Sequence, residues 1–163
     1  MPRISRTALA LIVVAGTTLA AQDKPEFAGE WALERSTGAS QQIAIGMSVS
    51  YDVEKGVRVL VVERRFDTGR RSDRYLIGVV SGTVSGTVGR GLNREQTRTA
   101  VRWDGESLVI NSGRYSGPAR DSGPYTERHE IWSLDQQGKL SIVTTESGSD
   151  FETRKGTATY TRR

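Results

Sequence analysis

The side chains most able to do chemistry on this chain are a few charged and aromatic residues, because the usual catalytic and metal-binding residues are scarce. The 163 residues include no cysteine and one histidine, His129. This excludes disulfides, thiol nucleophiles, iron–sulfur clusters and any site built on two imidazoles. His129 is out of phase with Trp132 and Leu134, so we expect it on the outer surface of a strand, away from any cavity.

Two charged residues near His129 have the opposite placement. Arg128 and Glu130 share the alternation of Trp132, so if Trp132 points inward they do as well. Buried charges must be paired or hydrogen-bonded. Two interpretations follow: the two residues form a solvated pair near the mouth of the fold, or they anchor a polar group of a ligand. A β-bulge before Trp132 would reverse their phase and is a third alternative.

Large aromatic residues recur in phase with the aliphatic residues of their own segments, which predicts that they face a common interior. They fill a core on one interpretation and line a pocket for an apolar or amphipathic guest on the other. For Trp31, core packing is the favoured interpretation. The candidate ligand-binding residues are Trp31, Met47, Tyr51, Tyr75, Trp103, Arg128, Glu130 and Trp132.

No familiar catalytic pattern is present. The segment Gly82–Gly86 lacks the spacing of a serine nucleophile elbow, and Gly86–Gly91 does not match a dinucleotide-binding loop. The carboxylates are scattered, with no calcium-binding loop among them. We therefore expect no enzyme, no cofactor and no metal; an enzyme of unrecognised type is the remaining alternative.

The arginines form two groups that we expect on solvated surfaces. One group surrounds a turn at Asp67–Gly69 and the other lies on the outward face of a later strand; an anionic partner, such as a phosphate head group or an acidic polysaccharide, is the alternative. Acidic residues are interleaved with both groups, which argues against nucleic-acid binding. The two groups are Arg64, Arg65, Arg70, Arg71 and Arg74, and Arg94, Arg98 and Arg102.

The first twenty residues have the pattern of a secretory signal peptide. Arg3 and Arg6 precede the apolar run 8–15, and Thr18 and Ala20 supply small residues before a cleavage point after Ala20. This run is too short for a spanning helix, so no integral membrane segment is expected after processing. Residues 1–20 are assigned to the signal, 21–27 to a short extension and 28–163 to one domain in the periplasm or outside the cell.

Alternation with a period of two, interrupted by Gly, Asn and Asp turns, dominates the rest of the chain. Its clearest segment runs from Ile43 to Val53, and Asp104-Gly105 is a typical hairpin dipeptide. We predict an all-β, up-and-down antiparallel meander of about eight or nine strands that closes into a barrel; a flattened sandwich or half-open barrel is the alternative. The segment Ser81–Gly91 is predicted to be a mobile surface loop, with a lid as the alternative.

Several segments carry a resemblance to a known family. Phe27–Leu33 is similar to the G-x-W opening of lipocalins and related calycin barrels. Trp103-Asp104-Gly105, Trp132-Ser133-Leu134 and Tyr160-Thr161-Arg162 resemble motifs of an exported bacterial lipocalin-like domain. The lipocalin T-D-Y motif is missing. The resemblance implies a lipocalin-like barrel in which a closing arginine, here Arg162, packs over the first tryptophan.

Together these patterns favour an exported, non-catalytic β-barrel that binds a small hydrophobic or amphipathic molecule. The alternative is a structural or interaction protein of the cell envelope, with a filled barrel and no ligand. A lined internal cavity would favour the first interpretation, and a filled interior would favour the second.

Overall fold

The fold is all-β and is seen in a computed structural model that describes residues 24–39, 43–86, 94–116 and 125–163. The predicted signal peptide lies outside the described residues. The described strands are β1 Gly29–Gly38, β2 Gly46–Glu54, β3 Val57–Phe66, β4 Gly69–Leu76, β5 Val80–Gly86, β6 Arg94–Asp104, β7 Ser107–Ser116, β8 Tyr125–Leu134, β9 Leu140–Gly148 and β10 Phe151–Arg162. The described residues include no helix, and hence none long and apolar enough to cross a membrane.

The strands form one antiparallel sheet that curls into a nearly closed barrel. Their order is β4-β3-β2-β1-β10-β9-β8-β7-β6-β5, so the first and last strands pair with each other. Strands β4 and β5 are the two edges of the sheet. Near this gap the amide of Gly78 donates to the carbonyl of Val101 at 2.7 Å, and Ile77 forms an isolated bridge with Val101. The predicted up-and-down meander is confirmed.

Alternation along the strands places one row of side chains in the interior, as predicted. On β9, for example, Leu140, Ile142, Thr144 and Glu146 are buried while the residues between them are partly exposed. The two ends of this interior differ in chemistry. We call the end that holds Trp31, Trp103 and Trp132 the aromatic end, and the opposite end, where Arg128 and Glu146 lie, the charged end.

The glycine-rich segment after β4 differs from its prediction. Ser81–Gly86 belongs to strand β5 instead of a loop, whereas residues 87–91 lie outside the described part of the chain. Glycine and serine form strands poorly on their own, but β5 pairs with β6 from Val80 to Gly86. Pairing with a long neighbour therefore overrides local composition and adds a strand to those expected.

Strand β1 positions the first tryptophan against the last strand. Trp31 lies opposite Arg162 in the β1–β10 pairing, and the Arg162 guanidinium lies 4.9 Å from the centre of the Trp31 ring. Arg162 also donates to the carbonyl of Glu26 at 3.0 Å. These contacts connect the N-terminal segment with the last strand, β10.

Candidate functional site

The aromatic end of the barrel is filled by the side chain of Phe27. Phe27 is completely buried, stacks on Trp103 with 5.7 Å between ring centres, and meets Trp132 edge-on at 6.0 Å. The indole N–H of Trp31 donates to the Phe27 carbonyl at 2.9 Å. The three tryptophans therefore pack around one phenylalanine, and this arrangement resembles a core more than the lining of a pocket.

The prediction that Arg64 lies on a solvated surface with the arginines around the Asp67–Gly69 turn is wrong. The Arg64 side chain is only 6% exposed and shares the inward alternation of Leu60 and Val62 on β3. Arg64 Nη1 donates to Asp73 Oδ2 at 2.7 Å, and Nη2 donates to Glu130 Oε2 at 2.8 Å. Burial is tolerated because both ends of the guanidinium fork meet a carboxylate.

Glu130 is the centre of the interior charge network. It is 3% exposed and accepts hydrogen bonds from three side chains: Arg64, Arg128 at 2.6 Å and the indole N–H of Trp132 at 2.9 Å. Strands β3 and β8 are not neighbours in the sheet, so the Arg64–Glu130 contact crosses the barrel interior. The register of β8 with both neighbours is continuous, without the bulge considered as an alternative.

The network continues toward solvent at the charged end. Arg128 Nη1 donates to Glu146 Oε1 at 2.9 Å, and these side chains are 21% and 12% exposed. On the other side of the barrel, Asp73 accepts a second bond from Arg71 at 2.9 Å. Positive and negative groups thus alternate along the network, from an exposed arginine on β4 to a glutamate on β9.

Burial and pairing shift the pKa values of the groups in this interior. Burial alone would raise the pKa of Glu130, but the guanidinium groups of Arg64 and Arg128 hold it below its ordinary value. Burial raises the pKa of Tyr75, and it raises the pKa of Tyr160 to about 12. Glu130 is therefore a carboxylate at neutral pH, and both tyrosines keep their protons.

The structure brings some of the predicted site residues together and separates others. Glu130, Arg128 and Trp132 are in direct contact, and Tyr75 joins them by contacting Arg64 Nη1 at 3.0 Å through its hydroxyl. The remaining predicted residues belong to the aromatic end or its surroundings.

Met47 is buried directly opposite Trp31. Tyr51 lies apart from the charge network, with the Arg58 guanidinium 3.8 Å from the centre of its ring. Burial raises the pKa of Tyr51 as well.

The outward placement of His129 is confirmed. Its neighbours Arg128 and Glu130 point inward, while His129 Nδ1 contacts Asn111 Oδ1 on the outer surface of β7. Among the described residues, no group of three or more histidine, aspartate or glutamate side chains is arranged to hold a metal ion.

Sequence reasoning missed Arg64, Asp73, Glu146 and Phe27. The first three follow the alternation of their strands, in phase with Val62, Tyr75 and Ile142 respectively. The alternation is visible in the sequence, but charged side chains are ordinarily exposed, so composition argues against burial at these positions. Phe27 precedes the first strand, so no alternation could have revealed its buried position.

No family model matches this chain, and no curated protein matches its sequence.

Proposed function

We propose that this protein is an exported, non-catalytic β-barrel that binds a small hydrophobic or amphipathic molecule at its charged end. The observation that carries the proposal is the contrast between the two ends. Phe27 fills the aromatic end, whereas Arg128 and Glu146 keep partly exposed charged groups inside the barrel at the other. A ligand would enter where solvent already reaches the interior.

The charge network supports this placement on energetic grounds. An ion pair buried in a core is often no more stabilising than apolar residues of the same volume. Here the network extends from completely enclosed groups to groups in contact with water. A ligand head group that meets Arg128 or Glu146 would therefore bind to side chains that Glu130 already orients.

Kinship with lipocalin-like, calycin-type barrels is part of the proposal. It is supported by the G-x-W opening at Gly29 and Trp31, by the closing arginine over that tryptophan, and by the up-and-down barrel itself. A location in the periplasm or outside the cell rests on the signal-like residues 1–20.

A second candidate function is a structural or interaction role for a barrel that holds no ligand. The packing at the aromatic end favours it, because Phe27, Trp31, Trp132 and Leu108 are at most 1% exposed. The two candidates differ in whether the interior at the charged end responds to a small molecule.

Titration with sodium laurate, monitored by tryptophan fluorescence and by calorimetry, separates the two candidates. The proposal predicts saturable binding with one site, weakened about tenfold or more by Arg128→Gln because a charge-assisted contact to the carboxylate is lost. Arg74→Gln, in an exposed ion pair with Asp52 on the outer surface, is the matched control and should bind as the parent protein does.

Absence of saturable binding by laurate and by the cationic dodecyltrimethylammonium ion would reject the proposal and favour the filled barrel. Equal laurate affinity in the parent protein and in Arg128→Gln would also contradict it, provided that the variant keeps the β-sheet signal in circular dichroism.

A further inference from the structure

The outer surface of the barrel carries a cavity. It has a volume of about 380 Å³ and lies over strands β6 to β9. Outward-facing residues line it in two cross-strand rows: Arg98, Gly113 and Glu127 form one, and Ala100, Asn111 and His129 form the other. The residues next to them in sequence, such as Val101 and Ile110, are buried on the opposite face.

Gly113 forms the floor of this cavity. A Cβ atom at this position would lie 2.6 Å from the Tyr115 hydroxyl, so a side chain here would displace that ring. Because Gly113 leaves the space free, Tyr115 folds back and its hydroxyl donates to Glu127 Oε1 at 2.7 Å. The absence of a side chain at Gly113 therefore lets the Tyr115 ring and the Glu127 carboxylate lie in contact within the cavity.

Side chains of opposite charge lie on the two sides of Gly113. Arg98 on β6 and Glu127 on β8 flank Gly113, two strand spacings or about 10 Å apart along the sheet. Among the residues whose side chains the structure describes, no carboxylate forms an ion pair with Arg98. Arg98 therefore presents a cation to the cavity.

His129 and Asn111 add further hydrogen-bonding groups on the same side as Glu127. The amide oxygen of Asn111 only accepts, so the contact with His129 requires that His129 Nδ1 donates. This leaves His129 Nε2 and the Asn111 side-chain nitrogen for other partners. The cavity therefore presents a cation on one wall, and a carboxylate, an imidazole and an amide on the other.

We infer that this outer cavity binds a hydroxylated carboxylate of the uronic-acid type, with its carboxylate on Arg98 and its hydroxyl groups on Glu127, His129 and Asn111. A carboxylate pairs well with a guanidinium, and sugar hydroxyls both donate to a carboxylate and accept from an amide. The side chains proposed to hold this ligand differ from Arg128 and Glu146, which the proposed interior site uses.

Nuclear magnetic resonance titration with sodium D-galacturonate, followed at the backbone amides of Gly113 and Ala100, tests this inference. Saturable shifts at millimolar concentration are expected, with D-galactose at least about tenfold weaker because it lacks the carboxylate. Sodium acetate should also be weaker because it lacks the hydroxyls. Trigalacturonate distinguishes two sources of the same chemistry: tighter binding by the trimer indicates a polysaccharide, and equal binding indicates a free sugar acid.

Arg98→Gln should weaken galacturonate binding at least about tenfold, while Arg102→Gln, four residues along the same outward face, should not. The inference is overturned if galactose or acetate binds as well as galacturonate, if none of them shifts these amides, or if Arg98→Gln binds normally. Laurate binding in the interior is measured separately, so either site can fail without the other.

Discussion

Glu130 shows how one buried carboxylate organises the interior of this barrel. It accepts from Arg64, Arg128 and Trp132, so both oxygens are satisfied although the side chain is enclosed. Removing its charge takes away the carboxylate that Arg64 and Arg128 share and leaves each of them with one carboxylate partner, Asp73 and Glu146 respectively. Breaking a buried ion pair in this way costs more than the pair itself contributes. The stability of the fold should therefore depend strongly on this residue.

Glu130→Gln is expected to lower the free energy of unfolding at neutral pH by about 3–5 kcal/mol, measured by urea denaturation. Asp104→Asn, which removes an exposed partner of Arg102, is the control and should cost less than about 1 kcal/mol.

The same residue predicts a pH dependence with a definite sign. The pKa of Glu130 is lower in the folded protein than in the unfolded chain, so its stabilisation is present above the ordinary carboxyl pKa and is lost as pH falls through the folded value. In Glu130→Gln, the part of the acid-induced decrease in the free energy of unfolding that comes from Glu130 should be absent. Unchanged stability at neutral pH together with an unchanged acid profile would contradict the role given to the network.

At the scale of the strands, the sequence predicted most of the sheet and missed contacts between distant strands. Alternation correctly placed Trp132 and Glu130 inside and His129 outside. It could not predict that Arg64 meets Glu130, because the two residues are 66 positions apart and face each other across the barrel. Strand β5 was missed because its glycine-rich composition predicts a loop, while its pairing with β6 depends on tertiary structure.

The pairing of β1 with β10 joins the first and last strands in the middle of the sheet and depends on a tight approach at Gly38. Gly38 has a φ of +89°, and a Cβ there would lie 2.3 Å from the Lys155 carbonyl oxygen. Gly56, at a hairpin turn, has a similar φ of +80° but nothing within 4 Å. Comparison of the two glycines therefore separates steric clash from backbone strain.

Gly38→Ala is expected to destabilise the protein by at least about 1 kcal/mol more than Gly56→Ala, since only the first adds a clash to the cost of a positive φ. Thermal unfolding followed by circular dichroism measures the difference. Equal losses in the two variants would show that the β1–β10 pairing tolerates a side chain at Gly38.

At the scale of the whole molecule, the barrel combines an apolar plug with a charged opening. Phe27 and the tryptophans seal the aromatic end, and the alternating ion pairs from Asp73 to Glu146 extend across the interior toward the other. The indole N–H groups of the three tryptophans can be observed separately, so they report on the two ends of the interior. The Trp132 indole contacts the charge network through Glu130, whereas the Trp31 indole is bonded to the Phe27 carbonyl.

The most direct test of interior binding is the position of the tryptophan indole N–H signals in nuclear magnetic resonance spectra during a laurate titration. If a ligand enters at the charged end, the Trp132 signal shifts and saturates while the Trp31 signal stays in place, and Arg128→Gln suppresses the shift. If no indole signal moves, or if the Trp31 signal moves and Trp132 does not, the ligand does not bind where the charge network reaches solvent.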